Sequence, residues 1–375
     1  MKNILALLNL AESPSLGELT QKRSFGSVTF LGRYALSDIT LSNFTNSSID
    51  HMSIIADQFP SSMRNHIRTG SVFISNTKAG SIDVISATDS EPKARKRRRS
   101  DLSILKSNIN SYSYMEFIDH VIVAPAHLLM NFDFTRLIKY HGKIDADITV
   151  VYQTRDDLDH NFLNNYLVEV NKNGKITSLK LNKGEKKEGN VSLQTYIFKV
   201  DVFKRMVLSH ERVEKNIAMK EMIKYYVENR RFNVQGYSFP KSVFPIFNLQ
   251  DYINVSFSLL DYETRKLLFM DDWPTFTTTH NTPPTLYGAR ADVKNSFIAN
   301  GARIYGKVTN SIISRDVMIG DNSEVNNCII FTSTEVYSGS RLNYVLTDKS
   351  VLITDNVHLE GRPDEFVIIK QGNKI

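Results

Sequence analysis

Ile298-Ala299-Asn300-Gly301-Ala302-Arg303 and Ile319-Gly320-Asp321-Asn322-Ser323-Glu324 are two frames of one pattern, in which an aliphatic residue is followed by a small one and a second small residue sits four positions after the aliphatic. Aliphatic residues return every six positions from Ile298 to Ile304, through Ile313, Ile319 and Val325, and from Val336 to Leu342. An ordinary half-buried strand repeats every two residues, so a period of six excludes a plain sandwich edge. It suits short parallel strands wound about a triangular coil, with the aliphatic side chain inside and small residues at the corners. Residues 286–375 are therefore predicted to form a left-handed parallel β-helix of hexapeptide repeats. The beat breaks near Thr309-Asn310-Ser311 and around Thr332–Glu335, which read as loops projecting from the coil.

Upstream of the coil, Asp271–Pro284 holds the sole tryptophan and three prolines and reads as a linker. The expected organisation is a domain over 1–270, a linker over 271–285 and the coil over 286–375, in keeping with a chain of 375 residues, long enough for two cores. Through about residue 260, short apolar runs alternate with amphipathic stretches, the pattern of βα units feeding a mixed, mostly parallel sheet. Ile4–Leu10, Met52–Ala56, Val121–Ala124 and Ile148–Gln153 read as buried strands. Leu36–Ser47, Leu102–Ser111, Phe132–Gly142 and Ala218–Glu228 read as helices. Tyr166–Val170 and Lys175–Leu181 read as a hairpin across Asn171-Lys172-Asn173-Gly174, whose Asn-Gly step supplies positive φ.

Composition narrows the class. Apolar content of 41% and charged content of 23% describe a globular chain without a membrane span. The single cysteine, Cys328, forms no intrachain disulfide, which points to a reducing, cytoplasmic compartment. Ile4–Leu10 reads as a strand rather than a signal peptide, because Ala11-Glu12-Ser13-Pro14 offers no small-residue cleavage site. Net charge is +6, and the run Lys93-Ala94-Arg95-Lys96-Arg97-Arg98-Arg99 alone carries six cations. That run is either a solvated loop or a site for phosphate-bearing effectors, since guanidinium groups bind phosphate oxygens bidentately. No motif or aromatic interleaving supports nucleic acid.

A further stretch carries a resemblance. Leu19-Thr20-Gln21-Lys22-Arg23 is followed by Phe30-Leu31-Gly32-Arg33-Tyr34-Ala35-Leu36-Ser37-Asp38 and by Leu41-Ser42-Asn43-Phe44-Thr45-Asn46-Ser47-Ser48-Ile49. This closely resembles the N-terminal signature of ADP-glucose pyrophosphorylases, in which LTxxR precedes GG-(K/R)-YR-(L/I)-IDF and LSN-xx-NSGI. The likeness continues through Asp145-Ala146-Asp147-Ile148-Thr149-Val150, Thr195-Tyr196-Ile197-Phe198-Lys199-Val200 and the hexapeptide region. It implies a Rossmann-like, GT-A-like α/β nucleotidyltransferase domain in front of the β-helix. Gly32, Arg33, Asp38 and Asn43 then stand as candidates for a nucleotide or sugar pocket. Gly32 and Asp38 equally suit a turn and a helix cap.

The catalytic pattern of the family fails here. Its active members open with GGxGxRLxxLT, a loop whose backbone N–H groups cradle phosphates. The corresponding stretch is Asn9-Leu10-Ala11-Glu12-Ser13-Pro14-Ser15-Leu16-Gly17-Glu18, where one glycine remains, Pro14 lacks a donor, and Glu12 and Glu18 add negative charge. Nucleotidyl transfer needs Mg²⁺ held by carboxylates. The first metal aspartate of the family falls on Ala126 or His127, and the second, counted back from Tyr252, falls on Pro245. The sugar-phosphate lysine of its FxEKP motif aligns within Leu179-Lys180-Leu181-Asn182-Lys183, and its GTADA loop becomes Ser100-Asp101-Leu102-Ser103-Ile104.

Taken together these departures resemble the GlgD-type subunit, which stands beside an active GlgC-type catalytic subunit. The resemblance implies a regulatory chain of glycogen biosynthesis with little or no activity alone. It also implies no metal or cofactor of its own, Mg²⁺ in the catalytic partner, a hetero-oligomer (a tetramer with that partner) and phosphorylated-metabolite effectors. Arg95, Lys96, Arg97, Arg98, Arg99, Arg64 and Arg68, with Arg33, are the candidate effector contacts. The alternatives are an active nucleotidyltransferase that holds its metal with Asp133, Glu116 or Asp119, a hexapeptide acyltransferase using His358 as base, and a scaffold that binds no small molecule.

Overall fold

The computed structural model describes residues 3–75, 80–87, 98–109 and 116–375. Its N-terminal sheet grows around Ile4–Asn9, an apolar strand buried on both faces that pairs in parallel with His51–Ile55 on one side and His120–Pro125 on the other. Ser81–Ile85 extends the parallel half beyond His51–Ile55. On the other flank Gly189–Lys199 runs antiparallel to both His120–Pro125 and Ile148–Arg155. Val234–Ser238 adds in parallel to Ile148–Arg155. Central strands lined on both faces by aliphatic side chains demand cover on both sides. Two apolar clusters supply it, one around Phe44, Phe132 and Tyr252 and the other around Phe198, Met222 and Tyr226.

The helices are α1 (Leu36–Asn46), α2 (Pro60–Ile67), α3 (Asp101–Asn108), α4 (Phe134–Lys143), α5 (Val200–Ser209), α6 (Met219–Glu228), α7 (Leu249–Ser258) and α8 (Tyr262–Lys266). Their starts follow local chemistry. Ser100 caps α3 by accepting from Ser103 N, and Asp133 caps α4 by accepting from Thr135 N, each satisfying an orphan donor of the first turn. Helix α3 ends at Asn108, earlier than the apolar periodicity suggests; residues 110 and 111 of the expected span lie outside the described residues. The hairpin Tyr166–Val170/Ile176–Leu181 forms as expected, but only Gly174, at φ +78°, is left-handed. Asn171 instead accepts from Asn173 N and Lys175 N through its side chain, so the turn is longer than a two-residue Asn-Gly loop.

From Leu286 the chain winds into three parallel five-stranded sheets, the faces of a β-helix. Ile304, Val308, Ile313, Ile319, Val325, Ile330, Val336, Leu342 and Ile353 fill its interior, the six-residue beat holding over Ile313–Ile319–Val325 and Ile330–Val336–Leu342 and shortening between them. Ile298, on the opening coil, is half-buried. The breaks at Thr309–Ser311 and Thr332–Glu335 are not projecting loops. Asn310 and Ser333 are corners at φ +46° and +60°, and a left-handed residue turns the chain in fewer positions. The corner asparagines stack: Asn295 donates to Asn310 (3.0 Å), Asn310 to Asn327 (2.6 Å) and Asn327 to Asn343 (2.9 Å).

The stretch read as a linker is a strap. Trp273 Nε1 donates to Asn43 Oδ1 (2.8 Å), Phe276 N to Ser42 Oγ (2.8 Å) and Thr278 Oγ1 to the His66 carbonyl (2.6 Å), binding 271–285 along α1 and α2. Domain and coil are joined directly by Arg23 and Asp348, a buried pair at 2.7 Å. Among the described residues no helix is long and apolar enough to cross a membrane.

Candidate functional site

In an open α/β sheet, ligands bind beyond the carboxyl ends of the parallel strands. Here those ends deliver the loop after Asn9, the turn after Pro125 and the start of α3. They surround a space of only about 10 Å³, lined by Asn9, Glu12, Asp101, His127, Gln194 and Lys220 among others. That is room for about one water.

Five backbone N–H groups of the loop after Asn9 are bonded within the chain. Leu10 N bonds the Ile55 carbonyl (2.9 Å), Ala11 N the Asn9 side chain (3.1 Å) and Ser13 N the Leu10 carbonyl (3.2 Å). Leu16 N bonds Thr20 Oγ1 (3.0 Å) and Gly17 N bonds Ser15 Oγ (3.3 Å). A phosphate cradle needs such groups convergent and free. Glu12 faces Lys220 Nζ at 3.8 Å. Burial raises its carboxyl above the usual range, against the pull of Lys220 and Arg98. Asp101, in the position of the GTADA-like loop, is fully buried and accepts from Asn9 Nδ2 (2.7 Å), Met219 N (2.9 Å) and Leu102 N (2.8 Å). Desolvation, with the Glu12 charge beside it, pushes its carboxyl up to about 7.

Of the two residues eligible for the first metal position, Ala126 is swallowed by the core and His127 lines the space. His127 packs against Phe25 and Phe247 (ring centroids 6.4 and 5.7 Å), and its Nδ1 is buried without a hydrogen-bond partner. Burial pushes its pKa down to about 3, so the ring is neutral. Pro245 pairs with Leu128, and Ile246 N donates to the His127 carbonyl (2.8 Å), so the two positions adjoin. A neutral imidazole and a pyrrolidine ring do not fit Mg²⁺, which takes oxygen ligands. Among the described residues, no three His, Cys, Asp or Glu side chains cluster so as to hold a metal ion.

The substitute carboxylates are engaged elsewhere. Asp133 caps α4 and Asp119 accepts from Asn3 N (2.9 Å) at the opposite end of the strand that leads to His127. Glu116 is exposed in the turn before that strand. Lys180 pairs with Glu169 on the outside of the hairpin, and Lys183 and His358 are exposed.

Gly32, Asp38 and Asn43 perform structural tasks away from this space. Gly32, at φ +71°, abuts the coil, where a Cβ would stand 2.8 Å from the Ile313 carbonyl oxygen. Asp38 accepts from Ala35 N (2.8 Å) and pairs with His66 (2.6 Å). Asn43 accepts from Trp273 and donates to the Met130 carbonyl (2.8 Å).

Arg33 belongs to a second feature, which the sequence signalled through this residue alone. A cavity of about 620 Å³ lies between domain and coil, with Arg33, Arg265, Arg315, His280 and Asn300 on its walls beside Tyr34, Phe269 and Phe297, and without a carboxylate in its lining. The Arg315 Nε is buried and unpartnered. Burial and the neighbouring Arg33 charge lower the Arg315 pKa, and burial, aided by Arg315 and Arg68, lowers that of His280. Arg64 instead donates to the Val84 carbonyl (3.1 Å), and Arg98 to the Ser13 carbonyl. Arg95, Lys96 and Arg97 lie outside the described residues.

Comparison with known proteins agrees with this architecture. A nucleotidyl transferase model matches residues 15–241, and a GlmU-like C-terminal hexapeptide model matches residues 283–365. Glucose-1-phosphate adenylyltransferase of Desulfitobacterium hafniense (strain Y51) is 24% identical, over 99% of this chain and 94% of its own length. Glycogen biosynthesis protein GlgD of Bacillus subtilis (strain 168) is 24% identical, over 96% and 92%. Glucose-1-phosphate adenylyltransferase of Clostridioides difficile (strain 630) is 24% identical, over 100% and 97%. The chain, with its mixed sheet and the coil behind it, belongs to the nucleotidyl transferase family.

Proposed function

We propose that this chain is a regulatory subunit of glucose-1-phosphate adenylyltransferase in glycogen biosynthesis. In this reading a GlgC-type catalytic partner converts ATP and glucose 1-phosphate to ADP-glucose and pyrophosphate and holds the Mg²⁺, while this chain tunes its rate and effector response within a hetero-oligomer. The observation that carries the reading is His127, a buried neutral ring beside Pro245 where the family sets its metal carboxylates. Without carboxylates at the two metal positions, the electrostatic terms that dominate phosphoryl transfer are weakened. The relatives named glucose-1-phosphate adenylyltransferase and GlgD support the pathway.

The effector of this reading is a phosphorylated metabolite in the cavity between domain and coil. Three guanidinium groups without a carboxylate among them favour an anion there over water. Arg64 and Arg98, by contrast, each donate to a backbone carbonyl.

The test is Mg²⁺-dependent ADP-glucose formation by this chain alone, by a GlgC-type subunit of the same organism alone, and by the two combined. The expected result is no turnover by the chain alone and a changed rate or effector response in the mixture. Turnover by the isolated chain, or a mixture indistinguishable from the catalytic subunit, would overturn the proposal.

A further inference from the structure

The cations on the walls of the cavity between domain and coil are not equivalent. Arg265 is held from behind: its Nη1 donates to the Leu259 and Leu260 carbonyls (3.4 and 3.2 Å) at the C-terminal end of α7, and its guanidinium lies over the rings of Phe297 and Tyr262 (5.1 and 5.3 Å to the centroids). Those carbonyls already offset part of its charge. Arg33 and Arg315 remain as the cations that face the space, and the Arg315 Nε is buried without a hydrogen-bond partner. His280 stands beside them on the strap, which Thr278 fastens to the His66 carbonyl. The charged and titratable groups that act on its ring are Arg315 and Asp316 of the coil and His66 and Arg68 at the end of α2, with Arg33 and Arg265 on the same walls. His66 is itself paired with the buried Asp38 (2.6 Å), whose charge also acts on Arg315. Desolvation and the guanidinium groups of Arg315 and Arg68 outweigh Asp316 and hold the His280 ring below the ordinary imidazole range, so it is neutral at pH 7. The residue is exposed, so a proton reaches it from solvent.

We propose that His280 is the third anion ligand of this cavity and takes up a proton from solvent when a dianion binds between Arg33 and Arg315, so that the site favours dianions over monoanions. The inference rests on reading the cavity as an anion site. Two guanidinium groups balance two negative charges, and the arriving dianion reverses the sign of the field at the ring, which then gains a charge-assisted contact by becoming an imidazolium. A monoanion is already over-balanced by the two arginines and draws no proton. The sign of the pH dependence follows: the free ring titrates at a lower pH than the occupied one, so binding is tightest below both values and weakest above both, where the third charge is absent.

The experiment follows the imidazole resonances of the full chain by NMR from about pH 5 to 8, in chloride, sulfate or perchlorate at one ionic strength, with sulfate affinity measured in parallel by calorimetry. Sulfate carries no proton that titrates in this range, so any proton taken up belongs to the protein, and perchlorate is a monoanion of the same shape. His280→Gln assigns the His280 resonance among the nine histidines. In the unaltered chain His280 is expected to titrate about one pH unit higher in sulfate than in chloride, which makes sulfate binding about tenfold tighter at the acid end than at the alkaline end. Perchlorate is expected to move it less, His280→Gln to bind sulfate with a flat pH profile, and Arg315→Gln to lose sulfate binding; the exposed Arg33→Gln carries that last control should Arg315→Gln fold poorly. Sulfate bound through the arginines with the His280 titration unmoved overturns proton uptake and leaves the cavity an anion site, and perchlorate moving it as far as sulfate overturns the selectivity. Sulfate that does not bind, or binds equally well in both arginine variants, overturns the cavity reading and this inference with it. None of these results decides the mixed-subunit comparison of turnover.

Discussion

Replacing Gly32 by alanine separates two roles that the sequence leaves open, close approach to a nucleotide and close approach to the coil. Gly32 sits at φ +71°, and a Cβ there meets the Ile313 oxygen at 2.8 Å and its carbonyl carbon at 3.2 Å. That oxygen accepts from Ala299 N (2.9 Å), so it cannot retreat without loosening a rung of the coil. The left-handed conformation costs an alanine about 1–2 kcal/mol, and forcing a methyl group against fixed backbone adds about 1–3 kcal/mol. The combined destabilisation of about 2–5 kcal/mol corresponds to a melting point lowered by roughly 4–10 °C, at about 2 °C per kcal/mol for a chain of this size. The sole tryptophan, Trp273, reports on it directly, because its indole is hydrogen-bonded to α1 in the strap beside this junction. Thermal melts followed by Trp273 emission and far-UV circular dichroism give the shift. A Gly32→Ala chain stable to within about 0.5 kcal/mol of the parent, the range of an ordinary surface change, would refute the assignment of Gly32 to the domain–coil contact.

Three further outcomes are expected. His127 titrates at about 3 when folded and near 6.5 when unfolded, so between these values the unfolded chain binds the extra proton. Stability therefore falls as pH drops from 6.5 towards 3, by up to about 1.4 kcal/mol per unit from this group; urea titrations of His127→Gln are expected to show a shallower decline, and an unchanged slope would count against a neutral buried ring. Asn43→Ala removes the acceptor of Trp273 and the donor to Met130, and is expected to cost about 2–4 kcal/mol; a red shift of Trp273 emission measures the exposed indole, and an unshifted spectrum contradicts the strap. Arg315→Gln and Arg33→Gln each take one cation from the cavity, so the effector concentration for half-response of the mixed enzyme is expected to rise by about tenfold, with the effector-free rate unchanged; equal sensitivity in both variants would remove the cavity from the effector proposal.

The coil was legible because its interior admits one side chain per face, which stamps a six-residue beat that Ile313, Ile319 and Val325 obey. Its corners were not. Arg303 stacks on Met318 and Met318 on Glu335, intervals of fifteen and seventeen residues, because single left-handed residues make the turns. Asn310 and Asn327 at such corners carry a signal, since asparagine tolerates that conformation, but Tyr344 at φ +52° carries none. The strap was misread for a related reason. Proline and polar residues mark an irregular path, and nothing local reveals that Trp273 reaches Asn43, more than two hundred residues earlier. The cavity between domain and coil was hidden likewise, since Arg33, Arg265 and Arg315 come together only when coil and domain meet.

The sequence places non-carboxylate residues at the family's two metal positions, and in the structure His127 and Pro245 lie on adjoining segments beside the loop after Asn9. An aspartate at position 127 would be set among Asp101 and Glu12, in a space of about 10 Å³ where burial already drives the Asp101 carboxyl up to about 7. A third carboxyl placed there takes a proton more readily than a hydrated cation, since desolvation and like charges both raise its pKa. Pro245 would still lack the opposing ligand, and the N–H groups of Leu10, Ala11, Ser13, Leu16 and Gly17 would still be bound within the chain. The departures fill the cleft: N–H groups of the loop are bonded within the chain, Glu12 faces Lys220, and an apolar-packed imidazole stands at the family's metal position. The contacts between domain and coil, Arg23 with Asp348 and Gly32 with Ile313, do not pass through the cleft. In the proposed reading, the junction through which an effector bound between domain and coil would act is therefore independent of the cleft.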